Sequence, residues 1–229
     1  MFYGKKKAIT FSYDDGVTQD VRLIKILDKY GLRATFNLNS ELLGRDGHLI
    51  REGKWVSHNK IAPEKVSEVY KNHEVAVHTL THPRLTELDD QKIIYEVEED
   101  RKKLSKLVGY EVVGMAYPCG GVNNDDRVAE VIKLNTGVKY SRTITLNGSF
   151  DKQENLYRFN PTAFHLNFEE NYRLAREFFK PKTEGVFYIW GHSYEFDIND
   201  TWNEFEKFCQ FISGRDDVFY GTNKEILLL

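Results

Sequence analysis

The amino-acid sequence predicts an α/β protein built around a parallel β-sheet. Short apolar runs of strand length alternate with longer segments in which apolar residues recur at helical spacing, and this alternation is typical of βαβ units. The chain has 229 residues, 41% of them hydrophobic and 14% aromatic, which suits one large domain with a substantial core. The pattern allows either an open sheet or a closed barrel. In both, polar residues at the carboxyl ends of the strands would share one cleft.

The elements of this pattern can be assigned along the whole chain. Strands are predicted at residues 7–13, 33–39, 73–79, 111–117, 137–143 and 185–190. Helices are predicted at residues 18–30, from Pro63 onward, at 89–108, after Asn124, near 168–179 and near 201–213, with another beginning in the last residues. Residues 39–62 are predicted to be an irregular excursion, and residues 144–167 to be rich in loops.

Two adjacent acids, Asp14 and Asp15, are the first candidate functional residues. They follow the first apolar run and precede Gly16, so the strand should end there and present both carboxylates. His78 and His82 follow the third strand, and a pair at i and i+4 can lie on one side of a helical turn. One carboxylate and two imidazoles make an open metal site, with the second carboxylate left for chemistry.

Two more motifs follow predicted strands. Pro118 and Cys119 come after the fourth strand, and Gly191 and His192 come after the strand at 185–190. Each motif also has a simpler interpretation. Adjacent aspartates commonly form a turn or cap a helix, a His pair at this spacing arises by chance, and a Gly-His pair is often only a turn. Their joint placement at four strand ends favours one active-site cleft.

Composition excludes some other functions. The 32 basic and 35 acidic residues are interspersed and give a formal net charge of −3, so there is no electrostatic footprint for nucleic acid. No apolar run approaches the roughly 20 residues that span a bilayer, and the expected location is the cytoplasm, although a trimmed secreted domain would look the same. Two distant cysteines, Cys119 and Cys209, do not suggest a disulfide scaffold.

Together the four motifs resemble those of the NodB-homology polysaccharide deacetylases, carbohydrate esterase family 4. The first family motif, Thr-Phe-Asp-Asp-Gly, is similar to Ser-Tyr-Asp-Asp-Gly at 12–16, and His-Ser/Thr-x-x-His is matched in full at 78–82. The third, Arg-x-Pro-aromatic-Gly, is matched in part at 116–120, and the last, Leu-x-His, corresponds to 190–192. The resemblance covers roughly residues 8–195 and implies a distorted (β/α) barrel formed by residues 1–229 as one catalytic domain.

The resemblance also implies roles for five residues. Asp15, His78 and His82 would bind one divalent metal ion, with zinc as the default and cobalt, nickel or iron as other options for such ligands. Asp14 would be the general base that takes a proton from water, and His192 the general acid that protonates the leaving group. The implied activity is removal of acetyl groups from N-acetylated or O-acetylated sugars or polysaccharides.

Further residues near these motifs are expected to contact the substrate. The backbone N–H of Cys119 would stabilise the oxyanion, although Cys119 could equally be a small buried residue. Tyr117 and Trp190 would line the substrate pocket, and Trp190 replaces a leucine of the family. The family's Asp-x-x-Asp-Trp segment is not evident here. In its region His165 is a candidate for facing the substrate, with a structural role as the simpler interpretation. His48, His58 and His73 are expected to be surface residues.

One departure from the family concerns the support of Asp14. The family arginine that orients the catalytic aspartate is Ala116 here. We expect Arg142, at the end of the next predicted strand, to supply the guanidinium from a neighbouring position. A surface arginine or an unrelated ion pair is the alternative.

Two other functions are compatible with the sequence. The same fold and chemistry could act on a small cyclic or ureido amide, which the altered third motif and the cytoplasmic expectation favour. The chain could instead be a catalytically weak glycan-binding protein, because the motif arginine is missing. Against this, a protein freed of catalysis has no physical need for both aspartates and all three histidines.

Overall fold

The computed structural model describes residues 1–51 and 53–229, and its centre is a curled sheet of parallel strands. Seven strands run in the order β7-β6-β5-β2-β1-β9-β8, and β10 pairs with the first residues of β1. Residues His48–Arg51 and Lys54–Ser57 form a separate antiparallel hairpin, β3-β4. The strands are β1 (Lys7–Asp14), β2 (Ala34–Leu38), β3 (His48–Arg51), β4 (Lys54–Ser57), β5 (Glu74–Val77), β6 (Gly114–Ala116), β7 (Tyr140–Arg142), β8 (Ala163–Phe164), β9 (Gly185–Gly191) and β10 (Val218–Tyr220).

Helices connect the strands of the sheet. They are α1 (Asp20–Lys29), α2 (Val66–Val69), α3 (Asp90–Val108), α4 (Asp126–Asn135), α5 (Phe168–Phe178), α6 (Glu195–Asn199), α7 (Trp202–Ile212) and α8 (Asn223–Leu227). Short 3₁₀ helices lie at Pro63–Lys65, Leu85–Glu87 and Leu156–Arg158. Helix α3 lies where the sequence predicts a helix at 89–108. Asp89 caps its first turn by accepting from the Lys92 N–H, and Gly109 ends it with a φ of 76°.

The two edges of the sheet are bridged by residues 159–164. Phe159 forms a parallel bridge with Arg142 on β7, and β8, a few residues later, pairs with β9. The sheet therefore curls into a distorted barrel, which confirms the predicted fold class.

Side chains of β1 alternate between the two faces of this barrel. Ile9, Phe11 and Tyr13 pack in the main hydrophobic core, where Phe11 and Tyr13 meet Phe205 of α7. The intervening residues are polar and bond to other strands or to α8: Thr10 to Asn223, Ser12 to Asn37 and Arg142, and Asp14 to the same two residues. Because strand side chains alternate with a period of two, Asp14 continues a buried polar row.

Several elements differ from the sequence prediction. The excursion at 39–62 is not wholly irregular, because it contains the β3-β4 hairpin. The sequence pattern indicates neither α6 nor β10. Short elements of this kind are fixed by tertiary pairing and carry little periodicity.

Two further expectations concern cysteines and membrane spans. Cys119 and Cys209 are both free, and Cys209 is buried in α7. Among residues 1–51 and 53–229, no helix has the length and apolar character needed to cross a bilayer.

Candidate active site

A cleft lies beyond the carboxyl ends of β1, β5, β6 and β9. It is a cavity of about 460 Å³, and all four sequence motifs contribute to its walls. The lining residues are Asp14, Asp15, Leu42, Leu49, Arg51, His58, Lys60, His78, His82, Tyr117, Cys119, Gly120, Ile144, Trp190, His192, Tyr194 and Glu195. The expected convergence of strand-end motifs is therefore present in the structure.

Asp15, His78 and His82 form a compact group of possible ligands. Oδ1 of Asp15 lies 3.6 Å from Nε2 of His82 and 3.9 Å from Nε2 of His78. One ligand atom from each of the three residues lies within 4.8 Å of the others. These are the three residues that the family resemblance implies as metal ligands.

The backbone at these residues is not helical. Thr79 and His82 have φ values of 68° and 64°, and residues 78–82 form a loop. The predicted helical turn is therefore wrong, because two residues in the left-handed region fold the loop so that both imidazoles face Asp15. Asp15 itself has a φ of 82°, an uncommon conformation for a residue other than glycine.

Both imidazoles present Nε2 to the cleft. Nδ1 of His78 lies 2.8 Å from the carbonyl oxygen of Ala116, and Nδ1 of His82 lies 3.7 Å from Sγ of Cys119. Burial lowers the pKa of His78 to about 4, although Asp14 opposes the shift, and burial also lowers the pKa of His82. Neutral imidazoles fixed by a second contact are the form that binds metals.

Asp14 is held by a different set of partners. Nη2 of Arg142 lies 2.5 Å from each of its carboxylate oxygens, and Nδ2 of Asn37 donates to Oδ1 at 2.8 Å. Burial raises the pKa of Asp14, but the Arg142 guanidinium, together with His78 and His192, more than offsets this, and the pKa falls below its ordinary value. Asp14 is thus an ionised carboxylate in a buried setting.

The guanidinium reaches Asp14 from β7, the strand next to the one on which the family motif has its arginine, as expected from the sequence. Ala116 on β6 pairs in register with Arg142 on β7. Paired residues of neighbouring strands project to the same side of a sheet, so Arg142 extends from the level at which the family motif has its arginine. The Arg142 guanidinium also stacks on the Trp190 ring, 4.5 Å from its centre.

His192 is a further neighbour of Asp14. Its Nε2 is 4.0 Å from Oδ2 of Asp14, the same distance as Nε2 of His78. Oε2 of Glu195 lies 3.3 Å from Nδ1 of His192 and accepts from its backbone N–H at 3.1 Å. Burial would lower the pKa of His192, but Glu195, with smaller contributions from Asp15 and Asp14, outweighs it and the pKa rises to about 9.

The remaining predicted residues have mixed placements. Cys119 and Trp190 line the cleft, and so does Tyr117, whose hydroxyl is turned away to donate to the carbonyl of Tyr157 at 2.7 Å. His165 does not line the cleft: it is 1% exposed, and its Nε2 lies 2.7 Å from Oε2 of Glu195. The prediction that His165 faces the substrate is therefore wrong, because the ring packs against Gly191 and Phe196 behind the cleft wall.

Three residues of the cleft, Glu195, His58 and Lys60, are functional candidates that the motifs do not identify. Glu195 lies three residues after His192, and an acid at that spacing is a signal in the sequence that could have found it. The surface position expected for His58 is wrong, because its Nε2 lies 3.1 Å from Oδ2 of Asp15. Nζ of Lys60 donates to the Asp15 carbonyl at 2.7 Å. No periodic signal marks His58 or Lys60, since the excursion reaches the cleft only through the folded chain.

His73 also departs from its expected surface position. It is only 6% exposed, and its Nδ1 accepts from the backbone N–H of Ala34 at 3.2 Å. The prediction is therefore wrong, because the ring is packed against Phe36 of β2 at the opposite end of the sheet from the cleft. His73 thus has a structural role.

The three-residue group fits a divalent metal ion. It combines an ionised carboxylate with two neutral imidazoles whose second nitrogens are already engaged, and nitrogen and oxygen donors of this kind suit zinc and neighbouring transition metals. Burial raises the pKa of Asp15, but the hydrogen bond from His58 and the charge of Lys60 reverse the shift and hold the pKa well below its usual range.

Comparison with known proteins agrees with the motifs. A family model described as "Polysaccharide deacetylase" matches residues 3–138, more than half of the chain. A curated Bacillus subtilis (strain 168) protein, named "Putative polysaccharide deacetylase YxkH", is 23% identical over 154 residues, which are 66% of this chain and 50% of that protein. The chain thus spans about half the length of this relative.

Solved structures of similar fold cover nearly the whole chain. The Xyl-CE4 domain of a multidomain xylanase from the hindgut metagenome of Trinervitermes trinervoides has a TM-score of 0.60 and 16% identity, covering 98% of this chain and 91% of its own. The peptidoglycan deacetylase PdaC of Bacillus subtilis has a TM-score of 0.57 and 17% identity, covering 97% and 90%. The motifs, the barrel and the family match agree: the chain belongs to the polysaccharide deacetylase family, with NodB homology.

Proposed function

We propose that this protein is a metal-dependent hydrolase that removes acetyl groups from N-acetylated or O-acetylated sugars or polysaccharides. The observation that carries the proposal is that two adjacent carboxylates have different partners. Asp15 faces His78 and His82, whereas Asp14 is bound by Arg142, and its Oδ2 lies 4.0 Å from Nε2 of both His78 and His192. With these partners, Asp15 can bind a metal ion while Asp14 transfers a proton.

Asp15, His78 and His82 would hold the metal ion, zinc by default, which when bound polarises the acyl carbonyl and makes water more acidic. Asp14 accepts a proton from the attacking water as general base, and Arg142 keeps it ionised for that purpose. His192 donates a proton from Nε2 to the leaving amine or alkoxide. The N–H of Cys119 contributes to stabilising the oxyanion.

Glu195 sets the pH range of the proposed acid. Because the raised pKa of His192, about 9, depends on Glu195, His192 is protonated below that pH and loses its proton as the pH rises through it. The variant Glu195→Gln is expected to move the basic limb of kcat/KM to lower pH, since the imidazolium loses its negative partner. On that limb kcat/KM should fall about tenfold for each pH unit by which the limb moves.

The measurement is a kcat/KM profile from pH 6 to 10. A matched change, Glu204→Gln on α7, removes a carboxylate outside the cleft and should leave the limb in place. An unmoved limb in Glu195→Gln would contradict the role of Glu195.

The substrate could be a glycan or a smaller amide. Family membership and an open cleft about 460 Å³ in volume favour an acetylated sugar. The altered third motif keeps a cyclic or ureido amide as a second candidate. We further infer that residues 1–229 work as one catalytic domain, and its cellular location stays a prediction.

The decisive experiment is a screen for acid release. Metal-free protein is reconstituted with zinc, cobalt or nickel and incubated with N-acetyl and O-acetyl glycans and with small cyclic amides, using His78→Ala as the matched control. We expect acetate from at least one glycan with wild type and none above background with His78→Ala. If only the cyclic amides are hydrolysed, the substrate is a small cyclic amide and not an acetylated glycan. Sugar binding without turnover under all three metals would support a glycan-binding protein instead.

A further inference from the structure

The ammonium group of Lys60 lies inside the proposed metal site. Its Nζ is 3.6 Å from Oδ1 of Asp15, the oxygen that faces both histidines, and donates to the backbone carbonyl of Asp15 at 2.7 Å. The Lys60 side chain is only 6% exposed. A buried cation is therefore already present beside the carboxylate that would bind a second cation.

The position of Lys60 is fixed by backbone pairing. Residues 58–61 run along the loop that follows β1, where Thr18 N–H donates to the Asn59 carbonyl at 2.8 Å and Ile61 N–H donates to the Gly16 carbonyl at 2.9 Å. Lys60 itself forms an isolated bridge with Val17. The segment therefore holds its ammonium against the same loop that carries Asp15.

Asp15 is the partner that Lys60 contacts directly. Asp14 is already neutralised by Arg142, and the other oxygen of Asp15 is engaged by Nε2 of His58 at 3.1 Å. Oδ1 of Asp15 is therefore shared between two imidazoles and one ammonium. A divalent ion entering this group meets an attractive carboxylate and a repulsive ammonium at short range.

We propose that Lys60 is a built-in counter-ion of Asp15 that competes with the metal ion. It balances the buried carboxylate when no metal is bound, and it weakens metal binding so that the ion exchanges with the surroundings. This inference rests on the proposed metal-dependent function. It adds that the affinity for the ion is set by a residue outside the ligand group.

The test is a metal titration of Lys60→Gln. Glutamine carries an N–H donor but no charge, so the change removes the repulsion and leaves a polar side chain beside the Asp15 carbonyl. Zn²⁺ and Co²⁺ affinities, measured by calorimetry against a competing chelator, are expected to rise about tenfold or more. Lys60→Arg keeps a positive charge beside Asp15 and should therefore not show this gain in affinity. Lys54→Gln, on the neighbouring hairpin where Nζ donates to the Ile198 carbonyl, is the matched control and should also match wild type.

Thermal unfolding gives a second readout that does not depend on activity. Without metal, Lys60→Gln should melt at a lower temperature than wild type, because a buried carboxylate loses its cation. Saturating Zn²⁺ should raise its melting temperature more than that of wild type. Equal or weaker metal binding by Lys60→Gln would overturn the inference while leaving the metal site intact. Failure of wild type and His78→Ala to differ in metal binding would overturn the metal assignment itself.

Discussion

Replacement of Arg142 by alanine is expected to lower kcat/KM by about 10²–10³-fold, in the range seen when general base catalysis is impaired. The change removes the guanidinium that contacts both oxygens of Asp14, and these two side chains are 1% and 2% exposed. Deleting one partner of a buried ion pair is also expected to cost about 3–5 kcal/mol in the free energy of unfolding. Activity and stability both fall because the buried carboxylate of Asp14 is left without its cation.

The pH dependence of this variant has a defined sign. In the wild type the pKa of Asp14 lies below its ordinary value, so its contribution to stability is full above the unfolded pKa and is lost as the pH falls through the folded pKa. Without Arg142, burial dominates and the pKa of Asp14 rises. The acid limb of kcat/KM should therefore move to higher pH. Urea unfolding and a pH profile from 4 to 8 measure the two effects separately.

Controls separate the role of Arg142 from a general loss of packing. Arg127→Ala removes a guanidinium that pairs with Asp90 at 2.6 Å near the surface and should change neither quantity greatly. Ala116→Arg combined with Arg142→Ala returns the arginine to the family position on the paired strand, and should recover part of the lost activity. Wild-type turnover in Arg142→Ala would contradict the assignment.

The sequence is most informative where one local signal decides the structure. The helix α3 is flanked by a capping Asp89 and a left-handed Gly109, and its apolar spacing is regular, so both its type and its ends can be predicted. The position of Asp14 and Asp15 at the end of the first strand can also be predicted locally, because Asp and Gly are unfavourable inside strands. The alternation of polar and apolar residues along β1 is a further signal, a period of two that places Asp14 on the same face as Thr10 and Ser12.

Other parts depend on contacts between distant segments. The spacing of His78 and His82 suits a helix, but two left-handed residues form the loop instead, and nothing in the spacing distinguishes the two. His58 and Lys60 lie in a segment without periodicity, and only its pairing with the loop after Asp15 brings them to the cleft. The position of Arg142 can be predicted from the sequence because β6 and β7 are neighbours in a parallel sheet. An arginine on β7 can therefore take the place of the family arginine at the Ala116 position on β6.

Asp14→Asn is expected to lower kcat by about 10²–10⁴-fold with metal content unchanged. The amide is close in shape and can still accept from Arg142 but cannot take a proton, and Asp14 is not one of the three residues grouped as metal ligands. Metal analysis after dialysis and turnover at saturating substrate are the two measurements.

Asp15→Asn provides the contrasting variant on the adjacent residue. It changes the carboxylate whose Oδ1 lies 3.9 Å from Nε2 of His78 and 3.6 Å from Nε2 of His82, so metal content and activity should fall together. If Asp14→Asn keeps its metal but loses turnover, and Asp15→Asn loses both, the two neighbouring acids have separate roles. If Asp14→Asn also lost its metal, both carboxylates would have to be assigned to the ion, and the general base would have to be sought elsewhere in the cleft. Asp14 and Asp15 are consecutive residues, but they have different partners: Asp14 contacts Arg142, and Asp15 faces the two imidazoles. These different contacts allow one acid to move a proton while the other binds the metal ion.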